Sequence, residues 1–140
     1  MRRIVLLFAA AGAVASVGCA SESTSPPKPR GIVGAYALAS LNGQILPAIL
    51  GQNDTAKVEI LSGGVSLLSD GTFVDGVVLR VTLPSGVSVQ GDTIRGGFLT
   101  SGATLMLSPS DGSNAYFMTV TDEHTLTEDD IGYLIVYRRD

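Results

Sequence analysis

The chain is poor in the residues that most protein chemistry depends on. In 140 residues it has no tryptophan, one cysteine and one histidine. A single cysteine excludes an intramolecular disulfide, so the fold must rest on its hydrophobic core. A nucleophile of the Ser-His-Asp type needs an adjacent base, and His124 is the sole imidazole. It follows Asp122-Glu123 in a turn-like stretch with no G-x-S-x-G element, so it reads as an exposed turn residue and no catalytic residue is assigned. Zinc has too few nitrogen and sulfur ligands here. The acidic residues Asp122, Glu123, Glu128, Asp129 and Asp130 do not follow a calcium-loop spacing and read as solvated turn residues, so no metal or other cofactor is expected. Nine basic residues face thirteen acidic ones, and without basic patches nucleic acid is excluded as a partner. Gly63-Gly64 and Gly96-Gly97 lack the strand–loop–helix setting of a phosphate loop and read as turn or bulge glycines.

What is present begins at the N-terminus. Arg2-Arg3 precede an uncharged apolar run, Ile4 to Val17, which at about 14 residues suits a secretory signal and is short of the roughly 20 that cross a bilayer as a helix. Ser16-Val17-Gly18-Cys19 resembles a bacterial lipobox, although Ser16 stands where leucine is usual. The resemblance implies a signal peptide over residues 1–18 and a lipid-carrying Cys19 as first residue of the mature chain. Cleavage after Ala13-Val14-Ala15, with Cys19 left as a free thiol, is the competing reading. Two or three acyl chains, at roughly 0.8 kcal/mol per buried methylene, would hold the protein on a membrane. Ala20 stands where an aspartate would signal inner-membrane retention in enteric bacteria, so the resemblance points to the outer membrane of the cell envelope.

Residues 19–30 offer no large apolar side chain after Cys19. Pro26, Pro27 and Pro29 favour an extended linker, at about 3.1 Å per residue. Losing Arg2 and Arg3 with the signal would leave seven basic against thirteen acidic residues, a net charge of −6.

Residues 31–140 suffice for one domain with one core. They are rich in Val, Leu, Ile, Thr and Gly, lack a sustained 3.6-residue stripe, and are broken by turn pairs such as Asn42-Gly43, Asp70-Gly71, Gly91-Asp92 and Asp111-Gly112. Strands are expected near 33–41, 56–61, 65–68, 72–83, 88–95, 104–107, 115–121, 125–127 and 133–138. Alternation supports them: Val58 and Ile60 oppose Lys57 and Glu59, and Val77, Leu79, Val81 and Leu83 oppose Arg80 and Thr82. The expected fold is all-β, a small antiparallel up-and-down β-barrel of about eight strands, because closure hides strand edges and the connections are short. A sandwich is the alternative.

Gly34-Ala35-Tyr36, Leu41-Asn42-Gly43, Leu46-Pro47, Asp70-Gly71-Thr72-Phe73 and the closing Val136-Tyr137-Arg138-Arg139 together resemble the lipocalin-like domains of bacterial envelope lipoproteins. That resemblance implies that Tyr36 plugs one barrel end with Arg138 or Arg139 over its ring, a contact of about 0.5–2 kcal/mol. The expected barrel lining is Leu67, Phe73, Val77, Leu79, Ile94, Leu105 and Phe117. Two functional readings follow. One is a lipid-anchored binding module holding a small apolar or amphipathic ligand in the barrel; the other is a solid-cored lipoprotein that meets another envelope protein, as an inhibitor would. The apolar segment Leu46-Pro47-Ala48-Ile49-Leu50 would be a lid over the barrel end in the first and an exposed patch in the second.

Overall fold

A computed structural model describes residues 31–140; the expectations for the signal, Cys19 and the linker lie outside these residues. Every regular element described is a β-strand. Eight long or medium strands form the wall: β1 (Gly34–Leu41), then, after two short strands β2 (Gln44–Ile45) and β3 (Ala48–Gln52), β4 (Lys57–Leu67), β5 (Thr72–Leu83), β6 (Gly86–Ser101), β7 (Thr104–Pro109), β8 (Tyr116–Asp122), β9 (Thr125–Asp130) and β10 (Tyr133–Arg138). From β4 to β10 each strand pairs antiparallel with the next, β10 returns to β1, and Gly34–Ala37 of β1 pairs with Gly64–Leu67 of β4 to close the ring. The sheet is a closed, eight-stranded, up-and-down antiparallel barrel, not a sandwich.

The closure is local. Beyond Ala37 and Gly64 the strands β1 and β4 separate, and the space is filled by β2 paired with the end of β1 and β3 paired with the start of β4. The 46–50 segment, expected as a loop, supplies most of this flap. Ala48 is buried and Leu46 and Leu50 pack against the core, while Ile45 and Ile49 point to solvent. The Tyr133 hydroxyl, on β10, donates to the Leu50 carbonyl oxygen at 2.6 Å and ties the flap to β10, the neighbour of β1.

Alternation places the core. Leu67 lies opposite Phe73, Phe98 opposite Leu107, Leu105 opposite Met118, and Leu126 opposite Tyr137. With Tyr36 and Val65 these side chains form one packed layer across the end of the barrel where β1 and β4 meet. Leu105, Leu107 and Leu126 have no exposed surface. Burying a side chain of this size stabilises by about 1.5–3 kcal/mol.

Two turn assignments are corrected. Gly63-Gly64 and Gly91-Asp92 lie inside β4 and β6, so the strands expected at 56–61 and 65–68 are one, and that expected at 88–95 runs on to Ser101. At Gly64 a Cβ would stand 2.6 Å from the Tyr36 carbonyl oxygen. Glycine there answers the close approach of β1 and β4 at the seam, not a need for a turn.

Candidate functional site: an acid-lined cavity in the barrel

Above the packed layer the barrel is not filled. A cavity of about 410 Å³ remains, within the range of roughly 300–1,000 Å³ usual for small-molecule sites. Its apolar wall comes from Leu38, Leu50, Ile60, Val77, Leu79, Ile94 and Ile135. A bulge in β4 between Ile60 and Ser62 shifts the register, so that both Ile60 and Gly63 face their inward partners Leu79 and Val77. Gly76, also at the cavity, adds no side-chain volume.

The polar part is acidic. Asp75, Asp92, Glu128 and Asp130 all line the cavity, with Tyr116 and Tyr137 and, among the described residues, without any Lys, Arg or His. Alternation puts Asp75 between Phe73 and Val77 on the inner face of β5, and Glu128 two residues beyond the buried Leu126 on β9. The Tyr116 hydroxyl donates to Asp75 Oδ2 at 2.7 Å, and the Tyr137 hydroxyl to Glu128 Oε2 at 3.3 Å. Tyr116 is itself held edge-on to Phe73, with ring centroids 6.0 Å apart.

Burial, then the neighbouring Asp75 charge, raises the Glu128 carboxyl to about 7; the Tyr137 hydroxyl opposes this only in part. Asp75 is also raised by burial, against the hydrogen bonds from Tyr116 and the Gly76 backbone. Burial and the carboxylates push both tyrosine hydroxyls up, so Tyr116 and Tyr137 remain proton donors at neutral pH.

The mouth is set by strand length. β6 pairs with β7 only over Gly96–Ser101, with two further bonds to the Arg95 carbonyl oxygen, from the Ser110 N–H at 2.8 Å and the Ser110 hydroxyl at 3.0 Å. The β8–β9 ladder ends at Thr119 opposite Thr127. Since β7 and β8 are joined at 110–115, the wall stops there. Residues 86–94 of β6 and Glu128–Asp130 of β9 stand as edges on either side of the opening. Asp92 and Asp130 sit exposed at these edges, while Asp75 and Glu128 are half-buried inside.

The expected lining residues divide into three groups. Val77, Leu79 and Ile94 line the cavity. Leu67, Phe73 and Leu105 point inward but belong to the packed layer below it. Phe117 is a correction: it is 57% exposed on the outer face, because its neighbours Tyr116 and Met118 take the inward positions of β8. At the packed end the Arg139 guanidinium carbon lies 5.1 Å from the Tyr36 ring centroid, while Arg138 is exposed on β10. Arg139 also donates to the carbonyl oxygens of Val33 and Gly31, and the Tyr36 hydroxyl donates to Ile32 O at 2.9 Å.

Sequence reasoning missed the acids. Asp75 could have been found from its parity, since it shares the face of Phe73 and Val77. Glu128 and Asp130 were read as turn residues because β9 was expected to end at Thr127, whereas it runs to Asp130. No protein-family model and no curated protein matches the chain.

Proposed function

We propose that the protein is an exported envelope lipoprotein, anchored through lipid on Cys19 to the outer membrane, whose lipocalin-like barrel binds a small amphipathic ligand. The observation that carries the ligand reading is the cavity: it starts directly above a fully packed layer and opens through a wall that β7 and β8 leave unfinished. A solid-cored interaction protein would have no use for that space. Apolar walls with a few convergent polar groups are the common form of small-molecule sites. The flap of β2 and β3 packs over the cavity through Leu50 and serves as its lid, which weighs against an exposed partner patch at 46–50. The reading is of a binding site, in which the Tyr116 and Tyr137 hydroxyls are engaged as donors to Asp75 and Glu128.

Two measurements test this. The full chain, incubated with a bacterial lipid extract and repurified, should retain a small molecule that native mass spectrometry detects, and Val77→Phe, which fills the cavity, should abolish retention. Equal retention by both proteins, or none by either, would overturn the ligand reading. The N-terminal peptide of the membrane-bound protein should begin at Cys19 with a diacylglyceryl mass; an N-terminus at Ser16 with a free thiol would overturn the anchor.

A further inference from the structure

Among the described residues, the acids in the cavity have no countercharge. Glu59, by contrast, is buried under its two partners, Arg80 at 2.8 Å and Lys57 at 2.9 Å. Arg139 is spent on Tyr36 and the Val33 and Gly31 carbonyls at the closed end. Among the described residues, Asp75 and Glu128 receive only tyrosine hydroxyls and a backbone N–H. A half-buried carboxylate without a positive partner is costly, and a ligand that supplied the charge would relieve that cost. A metal ion is a poor candidate, because among the described residues no three acidic, His or Cys side chains gather closely enough to hold one. An organic cation does not need such convergence. Its charge can lie against one or two carboxylates while its hydrocarbon covers the apolar wall.

We propose that the cavity takes an amphipathic organic cation, with an ammonium group at Asp75 and Glu128 and an apolar body against Val77, Leu79 and Ile94. Asp92 and Asp130, at the mouth, draw the cation in and turn anionic amphiphiles away. The tyrosines leave the assignment intact, because their hydroxyls donate to the carboxylates and leave the remaining lone pairs for N–H donors. This inference rests on the ligand-binding reading above and narrows it to one chemical class.

The test uses three probes of equal chain length, octylamine, 1-octanol and octanoate, titrated calorimetrically into the full chain at about pH 8, where the amine is charged and Glu128 is ionised. Octylamine should bind about tenfold or more tighter than octanol, and octanoate more weakly than either. Glu128→Gln and Asp75→Asn, which keep side-chain size, should bring octylamine down to the octanol level and leave octanol unchanged. Lowering the pH below 7 should weaken octylamine alone, as Glu128 gains its proton among Asp75, Asp92, Tyr116, Asp130 and Tyr137. Equal binding of amine and alcohol would overturn the cation assignment and leave the ligand reading standing. An amine preference that survives both substitutions would overturn the assigned seat. Binding of none of the probes would overturn both. The comparison of probes on the unaltered chain does not depend on the variants folding.

Discussion

Arg139 shows how one side chain near the chain's end can hold the start of the barrel. Its guanidinium covers the Tyr36 ring and bonds two carbonyls just ahead of β1, so three separate contacts depend on one planar group. Lysine cannot reproduce that geometry, because it offers a point charge in place of a fork. Arg139→Ala is expected to lower stability by about 1–2 kcal/mol, with Arg139→Lys recovering less than half, as read from urea denaturation. Equal stability of the three proteins would mean that the packed layer holds Tyr36 unaided. The resemblance to lipocalin-like domains pointed to an arginine here, and the structure puts Arg139, just past the end of β10, on the ring while Arg138, the last residue of β10, is exposed.

At the scale of strands, the close approaches matter more than the turns. A Cβ at Gly96 would lie 2.0 Å from the Ser108 carbonyl oxygen and 2.8 Å from the Phe73 ring. At Gly91 the nearest atom would be 3.9 Å away. Gly96→Ala should therefore cost about 3 kcal/mol or prevent folding, whereas Gly91→Ala, in the same strand, should change stability by less than about 0.5 kcal/mol. Thermal melts of the pair separate steric crowding from a general effect of adding alanine to β6. Both glycines look alike in the sequence, and Gly91-Asp92 has the better turn signature. The distinction arises from the strand β6 faces: near Gly96 it crosses the end of β7, and near Gly91 it is an open edge.

For the molecule as a whole, the acids set how stability depends on pH. Glu128 keeps its proton in the folded chain up to about 7, against 4.5 for an unperturbed carboxyl. Between these values the unfolded chain has released the proton that the folded chain still holds, so stability falls as pH rises through the interval. With allowance for the partial solvent access of the group, the loss is on the order of 1–2 kcal/mol. Glu59 acts in the other direction. Hydrogen bonds from Arg80 and Lys57 lower its carboxyl from 4.5 to about 2, so its contribution is present above 4.5 and is lost as pH falls toward 2. Without ligand, the melting temperature should peak near pH 4.5–5 and decline toward neutrality. Glu128→Gln should flatten the decline on the neutral side, and Glu59→Gln the one on the acid side. A wild-type melting temperature that rises steadily from pH 5 to 8 would show that Glu128 is not buried in the way described.

The all-β class, the number of barrel strands, the inward row of β5 and most hairpin turns were legible in the sequence, because side-chain alternation and turn chemistry are local properties carried by adjacent residues. The cavity, its mouth and its charge were decided only by tertiary structure. They depend on β7 and β8 ending early, on a bulge that changes the register of β4, and on which of two neighbouring residues, such as Tyr116 and Phe117, takes the inner face. These are comparisons between strands far apart in the chain, and no short stretch of sequence contains both sides of them.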